Sequence, residues 1–220
     1  MVAEASTQSE LVDRLAHQGL VPLSLLYAVF WVSGFASLLY QVIWQRALFT
    51  IFGTNIESVT VVVTAFMLGL GIGSLLGGRL SRDASRPVLP LFSCIELAIG
   101  AYGLCSLALF ALVGTWLGPE SALAIGLVSF GLVLFPTLLM GATLPLLVAH
   151  VVRRSGHVGR SVSWLYFVNT LGAAAGALLA SLFLLGKLGL QGSTQLAAVL
   201  NLAVGISVLG AWWWFRERTP

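Results

Sequence analysis

Again and again along this chain, apolar residues continue for the roughly 20 positions that a helix needs to cross a hydrocarbon core of about 30 Å. Nothing else in the sequence constrains the fold so tightly. Only 9% of the residues are charged and 58% are hydrophobic, with a mean hydropathy of +0.98. A soluble domain carries about 25% charged residues, so this chain cannot cover a water-facing surface. Membrane β-barrels show segments of about ten residues alternating in polarity, and no such alternation is present. Lipid offers backbone N–H and C=O groups no partner, which leaves an all-α membrane protein as the expected fold class.

Six spans are predicted, over residues 21–44, 56–80, 88–113, 121–152, 162–185 and 194–215. The expected organisation is a cytoplasmic segment over 1–19, a six-helix transmembrane domain over 20–215 and a cytoplasmic tail over 216–220. The first segment is polar, without a basic start leading into an apolar core, so it does not read as a cleaved signal peptide. Its Leu11 and Leu15 suit a short amphipathic helix lying on the membrane surface. Pro136 and Pro145 each remove a hydrogen bond from the long fourth span and are expected to break or tilt it. A turn is expected over 186–193, and Trp212, Trp213 and Trp214 stand where the last span meets the interface.

The distribution of basic residues tests this count. With six spans, one side holds Arg14, Arg79, Arg82, Arg86, Arg153, Arg154, Arg160, Arg216 and Arg218. The other holds only Arg46 and Lys187. Nine of the 11 basic residues on one side is the asymmetry of cytoplasmic loops, and it predicts both termini inside. Because the basic residues sit at helix ends and form no single patch, the net charge of +3 implies no nucleic-acid partner. The expected surroundings are the lipid bilayer and other membrane or soluble subunits, or further copies of the chain.

Small residues mark two of the spans. Gly69, Gly73 and Gly77 recur every four residues in the second, and Gly172 and Gly176 do so in the fifth. Such spacing lets another helix approach closely, and helix packing is the plain function. A dinucleotide loop would need a preceding strand and a third glycine where Ser74 stands. The two runs occupy matching places if spans 1–3 and 4–6 are inverted copies, as in many transporters. The loop after the second span carries Arg79, Arg82, Asp83 and Arg86. It is similar to the loop of major-facilitator transporters, whose aspartate and arginines hold a gate; its plain reading is a basic cytoplasmic loop.

Glu96 is the sharpest single residue. It falls about two turns inside the third span, where a carboxylate costs several kcal/mol unless it is paired, hydrated or protonated. It is therefore a candidate substrate or proton site, with Gln41 and Asn169 as further polar groups within spans. These two and Asn201 also suit hydrogen bonds between helices, at about 0.6 kcal/mol each. Cys94 and Cys105, about 16 Å apart along one helix, are too distant for a disulfide and are expected to be buried thiols. The histidines His17, His150 and His157 form no ligand spacing, so no metal, cofactor or catalytic set is expected.

Several ordered motifs carry a family resemblance. They are Ser33-Gly34-Phe35-Ala36-Ser37 through Tyr40-Gln41-Val42-Ile43-Trp44-Gln45-Arg46, followed by Phe52-Gly53, and Ala65-Phe66-Met67-Leu68-Gly69 through Ser74. Glu96 with Gly100, Pro136 through Met140-Gly141-Ala142-Thr143-Leu144-Pro145, and Tyr166 with Asn169-Thr170-Leu171-Gly172 and Gly176 complete the set. Together they resemble the membrane portion of fused major-facilitator/spermidine-synthase-like proteins, over nearly the whole spanning region. The resemblance implies half of a major-facilitator-like bundle in a bacterial-type cytoplasmic (inner) membrane. In that family an aminopropyltransferase-like domain with a Rossmann-type methyltransferase fold often follows the membrane part, and this chain ends at Pro220 without one. The expectation is a non-catalytic membrane subunit that anchors or assembles with a partner. The alternative is a transport module for polyamines or other small organic cations.

Overall fold

The computed structural model describes residues 21–53, 55–83, 86–116 and 122–217. The first segment with its amphipathic stretch, Arg14, His17, Gly118, Pro119 and Arg218 lie outside the described residues. All regular structure among the described residues is helical: α1 (Leu23–Phe52), α2 (Asn55–Leu80), α3 (Val88–Trp116), α4 (Ala122–Ser155), α5 (Val158–Leu179) and α6 (Leu185–Arg216). A five-residue π turn, Ala180–Leu184, joins the last two.

By length and apolar character these helices make five candidate membrane spans, the fifth a 59-residue run over Val158–Arg216. A straight helix of that length would reach roughly 90 Å, about three times a bilayer core. The run does not stay straight, because Gly189 adopts φ 66° and ψ −174°, torsions open only to glycine. The expected turn over 186–193 is thus a single non-helical residue, with helix on both sides. A left-handed glycine also ends α1, where Gly53 at φ 73° returns its N–H to the Phe49 carbonyl at 2.9 Å.

Successive contacts give the helix directions. Ser33 meets Glu96 and Trp44 meets Ser106, so α1 and α3 run parallel. Gly69 faces Thr137 and Gly77 faces Ala142, so α2 and α4 run parallel. Asn169 bonds the Phe30 carbonyl and Gly176 faces Phe35, so α5 runs parallel to α1. Gly100 faces Ala198 while Gly205 faces Ser93, so α6 opposes α3. The two arms of the 59-residue run therefore point in opposite directions.

Two expectations are corrected. The fourth span is not broken, since α4 is continuous through both Pro136 and Pro145. A proline removes one backbone bond, and between the two prolines the hydroxyls of Thr137 and Thr143 bond carbonyls of this helix one turn back. Cys94 and Cys105 are free but exposed, on the outward side of α3. Their opposite faces are taken by Ile95, Glu96, Ile99 and Gly103, which turn inward.

The core is aromatic and centres on α1. Trp44 is fully buried, stacks on Tyr40 at 4.9 Å and meets Phe110 and Tyr102 edge-on at 6.2 and 6.1 Å. Large aromatic surfaces of this kind supply the dispersion contacts that hold helices together where lipid removes the hydrophobic contrast. Much of α2 and α5 remains outward-facing and apolar, including Met67, Leu75, Phe167 and Leu178.

Candidate functional site

The site is built where α1, α3 and α6 meet. Glu96, the ninth residue of α3, is fully buried. Ser33 Oγ donates to its Oε1 at 2.6 Å, and Asn201 Nδ2 donates to its Oε2 at 2.6 Å. One carboxyl group thus ties three helices together. Among the described residues, no basic side chain forms an ion pair with it; Arg86 and Asp83 pair on the surface. Two short hydrogen bonds offset part of the cost of burying a carboxyl group, and no cation offsets the rest.

More polar atoms surround this junction than it satisfies. Asn201 Oδ1, Ser93 Oγ one turn before Glu96, and the Tyr40 hydroxyl are buried without a hydrogen-bond partner among the described residues. The Tyr40 hydroxyl lies against Gly103, where any Cβ would overlap it. Next along α1, Trp44 Nε1 donates to Ser106 Oγ at 3.1 Å, and Ser106 donates to the Gly103 carbonyl at 2.8 Å. A polar column therefore runs through the α1–α3 interface, inside an apolar shell.

On the other side of α1 lies a groove of about 200 Å³ between α1, α2, α4 and α5. Ser33, Ser37, Ser74, Thr143, Tyr166 and Asn169 are its polar lining. Ser33 belongs to both places: the residue lines the groove, and its side chain bonds Glu96.

The predicted site residues are thus divided. Asn169 is in the groove wall, donating to the Phe30 carbonyl at 3.1 Å, and does not touch Glu96. Gln41 is half-buried on α1 and is not among the described groups that bond Glu96. Gly69, Gly73 and Gly77 lie against Thr137, Leu138 and Ala142 of α4, while Gly172 and Gly176 lie against Trp31 and Phe35 of α1. At each, an added Cβ would collide with the facing helix.

In the α2–α3 loop, Arg86 Nε donates to Asp83 Oδ2 at 3.2 Å, while Arg79 and Arg82 are exposed. The loop's main organiser is a residue outside it. Arg153 Nη2, from the end of α4, donates to the carbonyls of Ser81 at 2.7 Å and Asp83 at 3.0 Å. Next to it, Arg154 donates to the Val21 carbonyl ahead of α1 at 2.8 Å. Neither arginine's partner was legible in the sequence, because the bonds join segments 70 and 72 residues apart for Arg153 and 133 for Arg154. Ser33 was equally silent: a serine inside an apolar run carries no sign of its partner 63 residues away.

Among the described residues no three His, Cys, Asp or Glu side chains stand together as a metal site. Fold and site define an all-helical protein with spans of bilayer length and one carboxyl group buried where three helices meet. The chain is similar to polyamine aminopropyltransferase 2 of Ralstonia nicotianae, 31% identical over 195 residues, covering 88% of this chain and 36% of that protein. Polyamine aminopropyltransferase 2 of Streptomyces coelicolor is 30% identical over 159 residues, covering 71% and 28%. The polyamine aminopropyltransferase of Leptospira interrogans is 26% identical over 187 residues, covering 85% and 35%. The chain thus spans about a third of the length of these relatives. No family profile matches it, and no solved structure matches it.

Proposed function

We propose that this chain is a non-catalytic integral membrane subunit that anchors or assembles with a partner of aminopropyltransferase type. The observation that carries this reading is the coverage: 88% of the chain aligns with only 36% of the Ralstonia relative. The shared region is about a third of that relative's length, and in this chain it folds as helices of bilayer length. A membrane part that holds a soluble enzyme near the bilayer accounts for both. Purification of the protein from native membranes in mild detergent tests it. A stoichiometric aminopropyltransferase-type partner supports the reading, and a solitary, flux-competent protein opposes it.

The reading includes six crossings in a bacterial-type cytoplasmic membrane with both termini inside. It is supported by the opposed directions of α5 and α6 and by the nine-to-two distribution of basic residues. Two inverted three-helix units are part of the same proposal. In their favour, the glycine faces exchange partners as such a repeat requires, α2 packing on α4 and α5 on α1. Single cysteines at Arg82 and at Arg46, labelled from opposite sides of sealed vesicles, test the orientation; labelling from one side alone sinks it.

A second reading, a transport module for small organic cations, is favoured by a specific observation. Glu96 is buried with no cation paired to it among the described residues, one hydrogen bond behind the groove that Ser33 lines. Uptake of labelled polyamine into proteoliposomes, compared with Glu96→Gln, tests it, and equal flux removes Glu96 from the mechanism.

A further inference from the structure

Three of the hydroxyls that line the α1–α2–α4–α5 groove, those of Ser33, Ser37 and Thr143, have already committed their hydrogens elsewhere. Ser33 Oγ donates to Glu96, Ser37 Oγ to the Ser33 carbonyl at 2.9 Å, and Thr143 Oγ1 to the Met140 carbonyl at 2.7 Å. A hydroxyl has one hydrogen and two lone pairs, so each of these has only acceptor capacity left. The Asn169 amide spends one of its two hydrogens on the Phe30 carbonyl. The groove wall is therefore biased toward ligands that donate.

Charge acts in the same direction. Glu96 stands directly behind Ser33, fully buried, with no cation paired to it among the described residues. In a low-dielectric interior its attraction for a nearby positive charge far exceeds the value in water. An anion entering the groove would meet lone pairs backed by a carboxyl group. The groove's volume of about 200 Å³ decides the ligand's size, since sites for drug-sized ligands begin at about 300 Å³. Tyr166, 61% exposed, and Ser74 stand at the open rim, where the remainder of a short chain would lie.

We propose that this groove binds a small protonated primary amine. Its ammonium is held by the oxygens of Ser33, Ser37 and Thr143, and its charge is balanced by Glu96 through Ser33. The inference deepens the second reading above, naming a ligand class and the groove that takes it, and it is separable from whether the chain moves that ligand.

Equilibrium dialysis of radiolabelled diaminopropane against the full chain in lipid nanodiscs tests it. Saturable binding is expected, displaced by propylamine and not by propanol or propionate. Ser33→Ala and Glu96→Gln are each expected to weaken binding about tenfold or more, equivalent to about 1.4 kcal/mol. Ser129→Ala, which removes a buried hydroxyl away from the groove, leaves binding unchanged. Absence of saturable binding, equal displacement by propanol, or wild-type affinity in both groove variants overturns the proposal. Should Glu96→Gln fail to elute as a folded species, Thr143→Val keeps the side chain's shape and removes an oxygen; undiminished binding by that variant overturns the proposal equally. Binding without flux in proteoliposomes removes the transport reading and keeps the groove. Flux without groove-dependent binding does the reverse.

Discussion

Ser33 Oγ of α1 lies 2.6 Å from Glu96 Oε1 of α3, and the same carboxyl group takes Asn201 of α6 at 2.6 Å on its other oxygen. These two bonds make the carboxyl group the point at which three helices are registered. Removing either donor leaves a buried oxygen unsatisfied, at about 1–3 kcal/mol. Ser33→Ala and Asn201→Ala are each expected to lower the thermal unfolding midpoint in detergent. Glu96→Gln, which keeps the shape and one acceptor, is expected to cost less than Glu96→Leu, and the reverse order would refute a hydrogen-bonding role.

The glycine faces provide a contrast within one helix. Gly73 lies against the Leu138 carbonyl and Gly141, whereas Gly71 has nothing within contact distance of an added Cβ. Gly73→Val is expected to destabilise by at least the ~1–3 kcal/mol typical of overpacking. Gly71→Ala, which also gains helix propensity of about 1 kcal/mol, should be neutral or stabilising. Gly176→Val, which meets the Phe35 carbonyl, should behave like Gly73→Val. Thermal unfolding of the purified variants checks the series.

Gly189 is the one described residue inside the last helical run whose torsions leave the helix. A β-branched residue at φ 66° carries strain of order 1–3 kcal/mol, so Gly189→Val should destabilise by about that amount. Gly186 is helical with open space around it, so Gly186→Ala should do no harm. Equal losses from both would show that the reversal does not depend on the backbone at 189.

Arg153 holds the α2–α3 loop through the Ser81 and Asp83 carbonyls. Its replacement by alanine is expected to release the loop and speed tryptic cleavage after Arg82 several-fold. Asp83→Asn, which weakens the exposed contact with Arg86, should change the cleavage rate less than Arg153→Ala, because exposed ion pairs contribute about 0–1 kcal/mol. Limited proteolysis of the three proteins, followed by mass, reads the difference.

Much of the fold was legible in the sequence. Long apolar runs locate α2 to α4 closely, because length and hydropathy are local properties that a bilayer reads directly, whereas α1 continues to Phe52, past the expected end at residue 44. The prolines of α4 misled, because their effect depends on what compensates the missing bond, and α4 continues through both. The cysteines misled for a related reason: a thiol is apolar enough for either face of a spanning helix, and only packing decides which. Glu96 stood out by itself, since an isolated carboxyl group in an apolar run is costly wherever the run packs. Its partners did not, and Gln41, equally polar, has no part among them.

By itself, then, the sequence determined an all-helical chain with spans of bilayer length, a basic bias in its loops and one acidic residue that must find partners. Tertiary structure decided which partners. Ser33 and Asn201 lie 63 and 105 residues from Glu96, and they reach it because α1 runs parallel to α3 while α6 opposes it. It also decided that Ser33 would stand between that carboxyl group and a groove on the far side of α1. Hydropathy is set residue by residue along the chain. Which face of a helix meets which neighbour is set by close packing among all of them, and no local pattern carries that information.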